Sequence, residues 1–394
     1  MHTPLPNLIP QRISRIRREV AAAIWRKVRE IPVYGSPVLP EPVDETAARK
    51  LRYDLVTPGS HFGPARGDWS QRWFTLTVDR PPRGGTRYLF WRCQGETTAY
   101  YRGQPWAGLD GGHLYCRVPP GGGRLYLDCG TYQTGDWAFK REDISDYGLR
   151  FDGAHLADRD EQSWQAHHDL EVLAQLMDRL LAQAGWKDVN VFGYQPDLVR
   201  ASPVLRRLLA GFEDAATAWD AGGAVALRGV LRELFRALPA EVWQPGAVMA
   251  GHSHLDLVFM WPEREGERKG VHTTATMLQL TKAYPEFHVT WTQPALLEAI
   301  RRRAPGLMRA VRQQVRAGRW ELTGGMEVEA ENHMPCGEAL ARSLIYGQRR
   351  LAEWRNGRPS TVVWLPDCFG FTACLPQLMV QTGLTGFLSG KMGW

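Results

Sequence analysis

The stretch AVMAGHSHLD, residues 247–256, decides the fold of the C-terminal part of the chain. Its apolar start predicts a short strand, and polar residues follow where that strand would end. In parallel α/β sheets, ligand sites gather at the carboxyl ends of strands. His254 and Asp256 are two residues apart, so in extended backbone they share one face. Imidazole and carboxylate are both zinc ligands; local hydrogen bonding and capping of the next helix is the alternative.

Downstream of this stretch, helical patterns alternate with apolar runs. Helices are predicted around 276–284, 294–317 and 337–355, and strands at 320–323 and 361–365. Alternation of strands with helices of ~10–20 residues indicates a parallel sheet, doubly wound or barrel-like.

Asp367 follows the last of these strands within WLPDCFG, residues 364–370. Taken alone, an Asp in this position is more often a helix N-cap than a ligand. Two strand ends in one α/β domain that each present metal-type ligands are harder to explain by capping, and they favour a metal site.

A third polar segment, 324–333, follows the strand predicted at 320–323. Glu327, Glu329 and Glu331 lie on one face if the segment is extended, with His333 just after them. Three like charges on one face repel one another unless a cation or substrate hydroxyls accept them. An exposed acidic loop is the alternative.

The sequence before residue 244 divides into three parts. Residues 1–50 are predicted to be a helix and a proline-rich linker, and 153–243 a helical connector. Residues 51–152 contain short aromatic runs, which are typical of a β-sandwich. The runs are 73–78, 88–91 and 125–129, with turns predicted at 81–85 and 119–123.

Composition excludes several classes of protein. The 394 residues carry a net charge of +6, and Arg301–Arg303 share a helical stretch with Glu298, which favours a solvated helix face over a nucleic-acid surface. The six cysteines include no CxxC pair, which argues against a disulfide scaffold or a thiolate zinc site. No membrane span or signal peptide is recognisable. We expect a cytoplasmic protein with no nucleic-acid or membrane partner.

Taken together, these segments resemble glycoside hydrolase family 38, the α-mannosidases. The matching stretches are GHSHLDLVFMWP (251–262), GRWELTGGMEVE (318–329), MPCGEALAR (334–342) and WLPDCFGFTACLPQL (364–378). Upstream, 61–137 resembles the sandwich of cytosolic-type members through HFGPARGDWSQRWF and GQPWAGLDGG. The resemblance implies a multidomain α and β protein: an N-terminal lectin-like β-sandwich, a helical connector, and an incomplete (β/α)7-type barrel with parallel strands over 244–394.

The same resemblance implies a site and a mechanism. One Zn²⁺, or another divalent metal such as Co²⁺, is expected on His254, Asp256 and Asp367, with His252 as a neighbouring non-ligand. Asp367 matches the nucleophile of a retaining mechanism, which forms and then hydrolyses a glycosyl-enzyme ester. The metal is expected to take the cis 2- and 3-hydroxyls of mannose. The substrate-binding positions are predicted at Phe259, which replaces the family's usual Trp, and at Phe369, Glu329, Glu331 and Lys391.

Two departures from the family pattern stand out. Glu327 and Ala330 replace a typical Trp and Pro, which leaves substrate preference open around that loop. The family's fourth ligand, a histidine, and its acid/base Asp are expected beyond residue 394, since no histidine follows His333. We therefore expect the N-terminal part of an enzyme truncated within its catalytic domain: a shortened reading frame, an excised fragment, or half of a split enzyme. A complementing C-terminal chain or a homo-oligomer is the expected partner.

The function predicted on these grounds is zinc-dependent, retaining hydrolysis of terminal α-mannosyl residues from mannose-containing oligosaccharides, by an incomplete catalytic unit. One alternative is a non-catalytic carbohydrate-binding or degenerate fragment. Another is a metal-dependent polysaccharide deacetylase, since His/Asp metal arms on barrel strands also serve such enzymes; the Trp-x-x-Asp-x-Phe-Gly context of Asp367 argues against it.

Overall fold

The computed structural model describes residues 8–63, 69–131, 148–184, 202–243 and 249–392. Segments of the predicted sandwich and connector at 64–68, 132–147 and 185–201 lie outside the described residues, as do 247–248 of the predicted strand. The chain forms two compact units. The first comprises 1–29, 81–88 and 156–247, and the second comprises 30–80, 89–155 and 248–394.

Within the described ranges, strands and helices alternate regularly only after about residue 250. In chain order they are α1 (Leu8–Ala23), β1 (Trp25–Glu30), β2 (Tyr34–Leu39), α2 (Glu45–Ala48), β3 (Asp54–Leu55), β4 (Ser60–Phe62), β5 (Gln71–Val78), β6 (Thr86–Cys93), β7 (Thr97–Tyr101), β8 (Gln104–Leu109), β9 (Tyr115–Arg117), β10 (Gly123–Gly130), β11 (Leu149–Arg159), α3 (Glu161–Gln183), α4 (Pro203–Ala237), β12 (Gly251–His252), α5 (Glu263–Ala283), β13 (Val289–Trp291), α6 (Pro294–Arg303), α7 (Pro305–Arg316), β14 (Trp320–Leu322), α8 (Gly337–Trp354), β15 (Val362–Trp364), α9 (Leu375–Gln381) and β16 (Gly386–Leu388). Among these helices, none is both long and apolar enough to serve as a membrane span.

Helices α1, α3 and α4 pack around one leucine-rich core. Helix α3 begins at Asp160, whose side chain accepts a hydrogen bond from the Ser163 amide at 2.7 Å, as an N-cap does. The apolar side chains of α3 that face this core are buried at Leu170, Leu173, Met177 and Leu181. Val172, also apolar, is 49% exposed, because only one face of the helix packs against the core.

Strands β1 to β11 form two sheets, with the orders β1-β11-β6-β9, where β4 also pairs with β11, and β3-β2-β5-β10-β7-β8. The predicted aromatic runs lie in β5, β6 and β10. The predicted proline-rich linker also contributes a strand, because Tyr34 of β2 pairs with Thr75 of β5. The core between the sheets is aromatic: the Phe74 ring lies 5.2 to 5.8 Å from those of Phe62, Trp91 and Phe151.

From β12 onward the strand pairing is parallel. The order β12-β13-β14 continues through a parallel bridge between Gly324 and Val363 to β15, which pairs with β16. The predicted strand and helix alternation is confirmed, but closure into a barrel stays a prediction. Strand β13 was not predicted, and the strand expected at 247–250 is formed by Gly251–His252. The helix expected over 294–317 is two helices, because Pro305 begins α7 and removes an amide donor.

Helix α5 is attached to the sandwich through a set of charged side chains, which we call the α5 clamp. Its residues on α5 are spaced three or four apart, so they lie on one helix face: Glu265, Arg268, Lys269 and His272. Arg268 Nη1 lies 2.6 Å from Glu265, and its other nitrogens bind Asp128 of β10. Lys269 pairs with Glu96 at 2.5 Å, and His272 Nε2 lies 3.0 Å from Asp110. The clamp holds the helix that directly follows the His254–Asp256 loop.

Candidate active site

Polar side chains from successive parallel strands meet at one end of the sheet. His254 and Asp256 follow β12, Glu329 follows β14, Asp367 follows β15 and Lys391 follows β16. Since parallel strands all run the same way, residues that follow them lie at the same edge. The structure therefore brings together His254, Asp256 and Asp367, the three residues expected to hold a metal.

His254 lies at the centre of this group. Its Nε2 is 3.4 Å from Asp256 Oδ1 and 3.7 Å from Asp367 Oδ2. This nitrogen is buried and makes no hydrogen bond of acceptable geometry to any residue in the described ranges, which is costly unless another partner completes it. On the other side of the ring, Nδ1 donates to Glu329.

Glu329 orients the His254 ring. Its side chain is only 3% exposed, and it also accepts a hydrogen bond from the Thr292 hydroxyl. The Glu329 amide donates to Gln293 Oε1 at 3.3 Å. Thr292 and Gln293 follow β13 and were not predicted as site residues; polar residues directly after the run Val289–Trp291 are the signal that would have indicated them.

Among the described side chains around His254, the carboxylates outnumber the cations. The carboxylates of Asp256 and Glu329 raise its pKa to about 10, outweighing burial, which lowers it. An imidazole held between carboxylates carries a proton or, in a metal site, a cation in its place. This surplus of carboxylates is what a divalent cation would neutralise.

The donor set suits zinc in type and in spacing. Two ligand atoms bound tetrahedrally at ~2.1 Å lie about 3.4 Å apart, close to the separations of His254 Nε2 from its two carboxylate neighbours. As they stand, no three His, Cys, Asp or Glu side chains among the described residues form a closed metal-ligand group. For His254, Asp256 and Asp367 to bind one ion together, the side chains of Asp256 and Asp367, which are 38% and 39% exposed, would have to rotate slightly.

Asp367 and Lys391 form an ion pair at the mouth of the site. Lys391 Nζ lies 2.8 Å from Asp367 Oδ1 and 4.4 Å from the centre of the Phe369 ring. Phe369 and Phe259 are 70% and 58% exposed, as aromatic side chains that pack against a sugar ring would be before it binds. The predicted substrate-binding roles of these residues stay predictions.

The three glutamates expected on one face turn to different partners, because the segment after β14 bends instead of running extended. Glu327 pairs with Arg350 at 2.9 Å. Glu331 is exposed and accepts from the amides of Asn332 and His333 at 2.8 and 3.0 Å. Of the three, only Glu329 contacts His254 among the described contacts, so the expected repulsion is avoided.

The backbone of the 254–257 loop is fixed from several sides. Gln293 Nε2 donates to the Leu255 carbonyl at 2.6 Å, and Trp261 Nε1 donates to the Asp256 carbonyl at 3.1 Å. A methyl group at Gly266, in the first turn of α5, would lie 1.8 Å from the Leu257 oxygen. Only glycine permits this approach of helix to loop, so α5 and the loop form one packed element.

Comparison with known families matches this same region. Residues 244–394 match the model of the glycosyl hydrolases family 38 N-terminal domain. Over this range the chain is similar to a family 38 N-terminal domain. The matched range contains β12 to β16 and each of the site residues described above.

Individual relatives extend the similarity. Human alpha-mannosidase 2C1 is 36% identical over 144 residues, which are 36% of this chain and 14% of that protein. Alpha-mannosidase G of Dictyostelium discoideum is 24% identical over 362 residues, or 88% of this chain and 32% of that protein. The alpha-mannosidase of Saccharomyces cerevisiae is 30% identical over 145 residues, 36% of this chain and 13% of its own length. The chain thus spans a third or less of the length of these relatives.

Proposed function

We propose that this chain belongs to a zinc-dependent α-mannosidase that releases terminal α-mannosyl residues from mannose-containing oligosaccharides with retention of configuration. The family 38 domain and the alpha-mannosidases to which the chain is similar support the reaction class. In this proposal the parallel strands β12 to β16 are part of a (β/α)7-type barrel. The cytoplasmic location and any complementing chain stay predictions.

One observation carries the metal assignment: His254 presents an unsatisfied Nε2 towards Asp256 and Asp367 while Glu329 holds its Nδ1. A histidine that binds a metal usually donates its other nitrogen to a carboxylate, which sets the ring orientation and strengthens the ligand. In the proposal His254, Asp256 and Asp367 hold Zn²⁺, and Glu329 is a positioning residue. The ion would act as a Lewis acid towards sugar hydroxyls.

Asp367 is proposed as the nucleophile. A carboxylate oxygen attacks the anomeric carbon, the bond to the leaving oxygen breaks, and water later hydrolyses the ester to restore the carboxylate. Lys391 orients Asp367 through their ion pair. Phe369, beside the same lysine, provides an apolar surface for the sugar ring.

The nucleophile can be tested with an activated substrate. A dinitrophenyl α-mannoside has a leaving group that departs without protonation, so its release reports the attack by Asp367 with no general acid required. We expect zinc-dependent dinitrophenolate release, reduced at least ~10³-fold in Asp367→Ala. The matched control is Glu338→Ala, which removes an exposed carboxylate on α8 that pairs with Arg342 in the same helix.

Dinitrophenolate release by Asp367→Ala at the unaltered rate would exclude this residue as nucleophile. Release that is insensitive to chelation would exclude the metal. Acetate release from acetylated glycans, without mannoside cleavage, would favour the deacetylase alternative.

A further inference from the structure

A pocket on the sandwich, which we call the arginine pocket, shares no lining residue with the site of His254, Asp256 and Asp367 in the family 38 region. It has a volume of about 500 Å³, and its lining is Arg49, Tyr101, Arg102, Gly122, Gly123, Arg124 and Tyr126. Small-molecule sites commonly measure ~300–1,000 Å³. Three of these residues are arginines, and none of the described residues that line the pocket is acidic.

Three separate segments supply its arginines. Arg49 follows α2, Arg102 lies in the turn between β7 and β8, and Arg124 lies in β10. All three line the same pocket. A methyl group at Gly103 would lie 3.6 Å from Arg49 Nη2 and 3.8 Å from Glu45 Oε2, and Arg49 pairs with Glu45 at 2.6 Å. Like charges that line one pocket repel one another, and a bound anion would relieve that repulsion.

Arg102 occupies an unfavourable backbone position. Its φ is +50°, and the following Gly103 has φ +79°. In a two-residue β-hairpin turn of this kind, Asn or Gly is the favoured first residue, and a long side chain costs free energy there. Backbone strain at a charged residue that lines a pocket indicates that its side chain has a role in binding.

Two tyrosines orient the arginines. The Arg102 guanidinium lies 5.1 Å from the Tyr101 ring centre, and that of Arg49 lies 5.7 Å from the Tyr126 ring centre. A guanidinium over an aromatic face keeps its N–H groups in plane and available for bidentate bonds to a phosphate or carboxylate. The tyrosines thereby reduce the ordering cost of binding.

We propose that the arginine pocket binds a phosphorylated sugar, with the phosphate among Arg49, Arg102 and Arg124 and the sugar ring over the Gly122–Gly123 turn. The phosphate matches the arginine geometry, and the volume exceeds what a bare phosphate fills. In this arrangement the sugar lies beside Tyr101 and Tyr126, which also line the pocket and whose hydroxyls can bond to sugar hydroxyls. The proposal does not depend on the function of the family 38 site.

Calorimetry on the full chain tests it with mannose 6-phosphate, inorganic phosphate and mannose as probes. We expect sub-millimolar binding of the sugar phosphate that weakens with salt, weaker binding of inorganic phosphate, and none of mannose at this site. A further titration uses a phosphorylated oligosaccharide, to distinguish a free sugar phosphate from the phosphorylated end of a glycan. If the oligosaccharide binds more tightly than mannose 6-phosphate, the ligand is the glycan.

Arg102→Gly distinguishes a binding role of Arg102 from a structural role, because glycine relieves the backbone strain while the guanidinium is lost. We expect its urea midpoint to rise while sugar phosphate affinity falls about tenfold or more. Arg124→Gln should lower affinity similarly, and Arg83→Gln, an exposed arginine in the 81–85 turn, should not.

Affinity unchanged in both Arg102→Gly and Arg124→Gln would overturn the proposal, as would absence of sugar phosphate binding. Inorganic phosphate that binds as tightly as the sugar phosphate would overturn the sugar assignment.

Discussion

The α5 clamp and the His254 site are both clusters of ionisable side chains, and they differ in how their charges are satisfied. In the clamp, each cation meets a carboxylate: Arg268 binds Asp128 and Glu265, and Lys269 binds Glu96. At the site, carboxylates outnumber cations among the described residues, and His254 Nε2 makes no hydrogen bond to any of them. A cluster completed by the protein itself supports the fold. One left incomplete is prepared for a ligand.

Removing the central cation of the clamp should have the largest effect on stability. Arg268 is 11% exposed, and Asp128 and Glu265 raise its pKa although burial acts to lower it. Arg268→Met leaves two buried carboxylates without their cation, so we expect the free energy of unfolding in urea to fall by about 3–5 kcal/mol.

The matched control for this substitution is Arg301→Met, since Arg301 pairs with Glu298 on the helix surface. We expect little change from it. If Arg268→Met and Arg301→Met lower the free energy of unfolding equally little, the clamp does not stabilise the fold in the way described.

Zinc should stabilise the site and leave the clamp unaffected. A ligand that binds only the folded state at 100 times its Kd adds about 2.7 kcal/mol to the free energy of unfolding. We expect Zn²⁺ to raise the thermal midpoint of the unaltered chain and not that of His254→Ala. His288→Ala, at an exposed histidine before β13, should respond like the unaltered chain; a zinc response that depends on His288 and not on His254 would move the metal elsewhere.

Glu329 should matter to zinc through His254. We expect Glu329→Ala to weaken zinc binding by about 10- to 100-fold, because the imidazole loses the carboxylate that orients it. Titration with a zinc-selective dye measures this. Glu331→Ala removes a neighbouring carboxylate that accepts from the amides of Asn332 and His333 and from the Cys368 thiol, so equal losses in the two variants would contradict a specific role for Glu329.

The edge of the clamp predicts a small pH effect. Asp110 raises the pKa of His113 above its usual value of about 6.5 through a hydrogen bond to Nδ1. The protonated pair therefore stabilises the fold fully below pH about 6.5, and this contribution is lost as pH rises through the raised pKa.

Because the His113 side chain is 54% exposed, the expected contribution is less than ~1 kcal/mol. Urea midpoints of the unaltered chain and His113→Gln should differ at acidic pH and converge at alkaline pH. A difference that grows with pH would have the wrong sign for this pair.

Local sequence predicted the elements well where periodicity was long or strands were apolar. The runs in β5, β6 and β10, the helical character of the described parts of 153–243 and the helix α8 are confirmed. Strand β13 was missed, although β14 and β15, which are equally short, were predicted. The single helix expected over 294–317 was wrong because the weight of Pro305 against a continuous helical pattern was underestimated.

Part of the site was also accessible from sequence. His254, Asp256 and Asp367 were expected together because each follows a strand. The partners of Glu329 were not accessible, since its contacts come from two other segments. The α5 clamp was not accessible either. A charged helix face such as Glu265, Arg268, Lys269 and His272 has the same sequence pattern whether it faces water or a sheet.

The sequence by itself determined where strands and helices alternate and which residues stand at strand ends, because these depend on near-neighbour periodicity and on the common direction of parallel strands. Only the tertiary structure decided which charges are paired and which are not. Pairing depends on distances between segments far apart in the chain. His254 with Glu329, Arg268 with Asp128, and three arginines around one pocket are all contacts of that kind.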